Sequence, residues 1–160
     1  MKIASSEDAG EARKLAKDFG GKVIAPRVAE YRTTDEFPHD VVAKMAESGL
    51  LGGLIPEEWG GAGMSYEVFL CVIEELSTFD HVMAGQASQA SGLLGSSILK
   101  YGTDEQRKNY LPGLCSGELF GAVAMTEPQG GSDVAATRMT ARATETGYEL
   151  SGQKTFVSHV

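Results

Sequence analysis

Residues Ala124-Met125-Thr126-Glu127-Pro128-Gln129-Gly130-Gly131-Ser132-Asp133-Val134 mark the point where the chain changes character. A short apolar run over residues 120–125 reads as a strand ending at Thr126, and Pro128 sets a turn. Gly130-Gly131 then leaves backbone N–H groups uncovered in front of Ser132. Uncovered N–H groups beside a hydroxyl form an anion nest suited to phosphate or pyrophosphate. The same residues would also make an ordinary glycine-rich hairpin, and the stretch alone does not choose between the two.

Downstream, residues 138–143 alternate as Arg, Met, Thr, Ala, Arg, Ala. Gly147 turns the chain into Tyr148-Glu149-Leu150, and Thr155-Phe156-Val157-Ser158 reads as a further strand. Upstream, the pattern is helical. Ser5 and Ser6 before Glu7 and Asp8 predict an N-cap with acid in the first turn. Ala9, Ala12, Leu15, Ala16, Phe19 and Val23 recur at helical spacing, and Gly20-Gly21 with Pro26 should weaken or bend that helix before the polar residues 32–36. Pro38 opens a second helix with Val41, Val42, Met45 and Ala46 on one face, stopped by Gly49. Residues 50–64 hold enough glycine to be a structured loop. Ser65 caps a third helix with the stripe Tyr66, Phe69, Leu70, Ile73 and Leu76. Residues 82–101 are rich in Ala, Gly and Ser and end in Leu93, Leu94, Ile98 and Tyr101. Thr103 with Gln106 forms a capping box for a helix expected to end near Pro112. Helices followed by strands indicate an α+β chain, with a boundary near residue 118. The strand pattern over about 40 residues cannot satisfy both edges of a sheet, so the β part reads as unfinished.

Composition sets outer limits. Of 160 residues, 42% are hydrophobic and 22% charged, enough for a buried core, and the formal net charge is −8 at pH 7. A nucleic-acid or anionic-membrane surface needs clustered Lys and Arg, so this balance argues against both. Solubility accounts for the acidity. Cys71 and Cys115 lack metal-ligand spacing, and no His, Cys and carboxylate cluster points to a metal. Cys71 sits among Phe69, Leu70, Val72 and Ile73, which predicts a buried thiol in a reducing compartment. The N-terminus has no apolar signal core and no Arg-rich transit pattern. No apolar run approaches the roughly 20 residues of a bilayer span. A cytoplasmic location is expected.

Four motifs in order and register resemble the acyl-CoA dehydrogenase family. The first is Pro56-Glu57-Glu58-Trp59-Gly60-Gly61-Ala62-Gly63, and the second the acidic pair Glu74-Glu75 before Leu76. The third is Tyr101-Gly102-Thr103-Asp104-Glu105-Gln106 through Tyr110-Leu111-Pro112. The fourth is Thr126-Glu127-Pro128 through Gly131-Ser132-Asp133, followed by Gly152-Gln153-Lys154-Thr155-Phe156-Val157-Ser158. The resemblance covers nearly the whole chain. It implies an all-α N-terminal helical domain over residues 1–117 and the first part of a β-barrel-like middle domain, incomplete here, over residues 118–160.

The resemblance also implies roles. The threonine matching Thr126 hydrogen-bonds the flavin ring of FAD, and main chain around Met125 faces it. The serine matching Ser132 contacts the FAD phosphate and lies beside the pantetheine arm of the acyl-CoA. The aromatic matching Phe156 packs by the isoalloxazine, and the hydroxyl matching Ser158 bonds near flavin N5 and O4. Phe156 stands where Trp is usual and Ser158-His159 where Thr-Asn is usual. The hydroxyl and the apolar ring are kept, while the indole N–H is lost. His159, next to Ser158, is a candidate for a local role there. His39, at a helix start, and His81, at a helix end, are read as ordinary surface residues.

The implied reaction is FAD-dependent α,β-dehydrogenation of an acyl-CoA thioester in fatty acid metabolism, with electrons passed to an electron-transfer flavoprotein. The family's catalytic carboxylate belongs to a C-terminal helical domain, so the base is expected beyond residue 160, in the rest of the enzyme or a partner subunit. Glu127, inside the turn motif, suits a structural carboxylate. The chain alone is expected to bind FAD poorly and to be inactive, and the family habit is a tetramer or dimer of dimers. Small residues Gly85, Ala87, Ala90 and Gly92 either let helices pack closely or leave room for the acyl chain. The alternative readings are a flavin monooxygenase or nitroalkane-oxidase-like member of the same fold, and a non-catalytic fragment.

Overall fold

A computed structural model describes residues 7–34 and 36–158. The chain forms two compact units, one ending at Gly121 and the other beginning at Ala122. The first is helical. Helix α1 (Glu7–Phe19) carries Glu7 and Asp8 in its first turn, where carboxylates meet the positive end of the helix dipole. The expected Ser5–Ser6 cap and His159 lie outside the described residues. α1 packs on α4 (Tyr66–Ser77), and its buried face is Ala9, Ala12, Ala16 and Phe19. Small side chains let the two backbones approach, so Leu15, placed in the stripe by spacing, is left exposed. Gly20 extends the same close approach, since a Cβ there would fall 2.1 Å from the Phe79 ring.

The helix does not break at Gly20-Gly21 and Pro26. It widens into a π-helical segment, Gly20–Ile24, and continues as α2 (Ala25–Thr34). A proline donates no N–H and crowds the carbonyl one turn back, and the wider turn just before it accommodates both. Helix α3 (His39–Glu47) buries Val41, Val42 and Met45. It stops at Gly49, with φ +70°. There the N–H of Leu50 donates to Met45 O and that of Gly49 to Ala46 O, both at 2.9 Å, the pairing that satisfies final-turn carbonyls.

Residues 50–64 fold back on themselves. The N–H groups of Ile55 and Ala62 both donate to Gly52 O, at 3.0 and 3.1 Å, and Gly63 N donates to Ile55 O at 2.9 Å. Ser65 Oγ accepts from Val68 N at 3.3 Å and caps α4 as expected. The buried face of α4 differs from the expected stripe: Phe69, Cys71, Val72 and Leu76 are buried, whereas Tyr66 and Leu70 are exposed. α4 lies against both α1 and α5 (His81–Ala87), so its apolar side points two ways rather than one.

α5, a π segment Ser88–Gly95 and α6 (Ser96–Tyr101) form one small-residue helical run. A Cβ on Gly95 would meet Ala90 O at 2.5 Å, so close packing accounts for that glycine, whereas a Cβ on Gly92 would make only an ordinary contact with Phe69, at 3.6 Å, and Gly85 faces open space. His81 begins α5 instead of ending a helix, because the buried Asp80 side chain caps α5 by accepting from Val82 N and Met83 N. Helix α7 (Asp104–Ser116) has the Thr103–Gln106 capping box but runs through Pro112 to Gly117, with φ +74°. Leu111, Leu114 and Cys115 are buried on either side of Pro112, and their packing outweighs the proline's local cost. The thiol of Cys71 is buried as expected, and burial pushes that of Cys115 up to about 11.

The second unit holds an antiparallel hairpin of β1 (Thr140–Thr144) and β2 (Gly147–Ser151), in the register Thr140 opposite Ser151 and Thr144 opposite Gly147. The sheet is not closed. The strands expected over residues 120–125 and 155–158 do not form, because neither stretch finds a ladder partner among the described residues. Within the described residues no helix is long and apolar enough to cross a membrane.

Candidate functional site

Residues 127–130 form a tight turn. Glu127 N donates to Gly130 O at 3.0 Å and Gly130 N returns a bond to Glu127 O at 3.1 Å. Pro128 and Gln129 make the corner, where proline's fixed φ suits the first corner position. No strand leads into it, contrary to the expectation for Thr126.

The Glu127 side chain turns inward and is 4% exposed. Its Oε2 accepts from Arg138 N at 2.7 Å and from the Gln129 amide. Its Oε1 accepts from Met139 N at 3.0 Å and Lys154 Nζ at 2.8 Å. The Lys154 ammonium is the largest influence, and with the backbone and amide donors it overcomes burial to hold the carboxyl down to about 2. Lys154 Nζ also donates to Met125 O at 3.0 Å, and Thr155 N donates to Thr126 O at 2.8 Å.

The structure therefore brings Met125 and Thr126 beside Lys154 and Thr155, and so next in chain to Phe156. Gly131 sits over Thr126, since a Cβ there would lie 3.4 Å from Thr126 Cγ2. Ser132 and Ser158 are exposed. Among the described residues the N–H groups of Gly131 and Ser132 have no acceptor. The Phe156 ring is 94% exposed on a left-handed backbone, φ 55°. Free main-chain donors beside a serine can take an anion, and an exposed ring can cover a flat apolar one. The residues present thus have the chemistry for a phosphate-bearing aromatic cofactor.

Lys154, Arg138 and Met139 were not singled out from the sequence. Lys154 was visible only as part of a motif, and nothing local links a lysine to a carboxylate 27 residues earlier. Among the described residues no group of three His, Cys, Asp or Glu side chains could hold a metal ion.

Residues 6–118 match the acyl-CoA dehydrogenase N-terminal domain and residues 122–160 the acyl-CoA dehydrogenase middle domain. A 3-(aryl)acrylate reductase of Clostridium sporogenes is 42% identical over 146 residues, which is 91% of this chain and 39% of that protein. An acyl-CoA dehydrogenase of Bacillus subtilis is 37% identical over 147 residues, 92% of this chain and 39% of that protein. The structure of butyryl-CoA dehydrogenase from Megasphaera elsdenii superposes with a TM-score of 0.85 at 28% identity, covering 98% of this chain and 42% of that one. The chain thus spans about two fifths of the length of the curated relatives it matches. It belongs to the acyl-CoA dehydrogenase family.

Proposed function

We propose that this chain supplies part of the FAD and thioester site of an enzyme that removes hydrogen across the α,β bond of an acyl-CoA. The observation that carries this reading is the buried Glu127–Lys154 contact, which ties the turn at residues 125–132 to the segment leading into Phe156. In this reading Met125 main chain and the Thr126 hydroxyl face the flavin ring, and Phe156 covers it. Ser132 holds the cofactor phosphate and borders the pantetheine arm, and the Ser158 hydroxyl lies near N5 and O4. Bound FAD would supply the hydride acceptor. A hydroxyl placed there steadies negative charge on the reduced ring.

Glu127 is not the base in this proposal. Both its oxygens are engaged by four donors, and a carboxylate so held has little basicity left for an α-proton. The base would come from elsewhere in the assembled protein, and an electron-transfer flavoprotein would take the electrons. A second reading runs the same bond chemistry in reverse, as reduction of an aryl-substituted double bond. The arylacrylate reductase relative favours it.

Anaerobic titration of the full-length flavoprotein separates these readings. Bleaching of the flavin band near ~450 nm by saturated acyl-CoA supports dehydrogenation. Reoxidation of the reduced flavin by an arylacrylate or its CoA ester, without bleaching by acyl-CoA, supports the reductase. Fast reaction of the reduced flavin with oxygen and no response to any thioester would discard both readings and favour the monooxygenase or nitroalkane-oxidising branch.

A further inference from the structure

Three segments distant in sequence meet at one carboxylate. Glu127 takes donors from its own turn through Gln129, from the backbone leading into β1 through Arg138 and Met139, and from Lys154. The Lys154 ammonium is shared between that carboxylate and Met125 O, and its side chain is 15% exposed against 4% for Glu127. One residue further on, Thr155 N holds Thr126 O. Immediately after it Phe156 adopts φ 55°, a conformation that bulky residues keep only where neighbouring bonds enforce it.

We propose that Glu127 and Lys154 are positioning residues for the flavin, a charge-balanced clamp that sets the Met125–Thr126 carbonyls and the Phe156 backbone in one register. The inference rests on reading Met125, Thr126, Phe156 and Ser158 as flavin contacts. It adds an electrostatic role to a geometric one. Each partner alone would leave an uncompensated charge close to the ring: a lone Glu127 carboxylate opposes the build-up of negative charge on reduced flavin, and a lone Lys154 ammonium favours it. Together they leave the site nearly neutral while holding its shape.

The test uses the full-length, FAD-loaded protein and its Lys154→Met, Glu127→Gln and Lys154→Arg variants. The flavin reduction potential should move negative in Lys154→Met and positive in Glu127→Gln, and return toward wild type in Lys154→Arg. FAD should bind about tenfold more weakly in Lys154→Met, the scale of one lost hydrogen bond to a charged group. Backbone hydrogen exchange should quicken together over residues 125–131 and 154–158. If Lys154→Met does not fold, the sign of the shift in Glu127→Gln decides alone. Potentials unchanged or moving the same way in both folded variants, with FAD affinity within about twofold, would overturn the proposal and leave the pair a stabiliser of the turn. Wild-type protein that binds no FAD would instead sink the flavin reading, and this inference with it.

Discussion

Arg32 on α2 donates from Nη2 to Asp80 Oδ2 at 2.7 Å, while Asp80 Oδ1 accepts from Val82 N and Met83 N at the start of α5. One carboxylate thus caps a helix and ties it to another. Burial works against its charge, but the bonds from Met83 N, Arg32 and Val82 N together prevail and hold its pKa below the ordinary value. The partners contribute unequally, because the Asp80 side chain is fully buried whereas that of Arg32 is 52% exposed. Asp80→Ala should destabilise the helical unit by about 2–4 kcal/mol, from a lost cap plus lost bonds to a buried charge. Arg32→Ala should cost about 0–1 kcal/mol once solvent screening is counted. Urea unfolding followed by circular dichroism measures both, and an Arg32→Ala effect as large as that of Asp80→Ala would refute the cap as the main contribution.

Acid should loosen the second unit through Glu127. Its folded pKa is depressed from 4.5 to about 2. The stability it contributes is therefore complete above about 4.5 and is lost as pH falls from there through about 2. Exchange protection at the Arg138 and Met139 amides should decline across that window. The decline should vanish in Glu127→Gln, where nothing at that position titrates.

Two glycines should respond oppositely to alanine. Gly10 lies exposed in α1 with nothing within 4 Å of an added Cβ, so Gly10→Ala should stabilise by about 0.5–1 kcal/mol. At Gly61 the added Cβ would fall 2.0 Å from Ile55 O, a backbone atom in the folded-back loop. Gly61→Ala should cost about 3 kcal/mol or more. Thermal melts of the two variants check the pair, and similar melting temperatures would show that the loop yields easily.

Phe156 separates stability from binding. Its side chain is 94% exposed, so Phe156→Ala should leave the unfolding midpoint of the chain nearly unchanged. In the full-length protein the same change should weaken FAD binding, by roughly the 0.5–1.5 kcal/mol of one aromatic pairing. Unchanged FAD affinity would remove Phe156 from the flavin site.

Interactions closed within a few residues were legible from residue order. The Ser65 cap on Val68 N, the capping box of Thr103 and Gln106 and the Gly49 stop each join groups three to five residues apart, so side-chain type and spacing suffice to specify them. The family motifs were legible for the related reason that they are contiguous. What depended on distant partners was not. Leu15 and Leu70 face solvent because small residues on α1 and a second neighbour for α4 redirect the packing. Pro112 stays helical because Leu111, Leu114 and Cys115 are held in the core around it. Residues 155–158 are not a strand, because Phe156 takes a left-handed backbone, φ 55°, and no segment among the described residues completes a ladder with them. The depressed pKa of the buried Glu127 rests first on Lys154, which arrives from 27 residues away. Burial and charge are properties of what surrounds a side chain, and that environment exists only once the chain has folded.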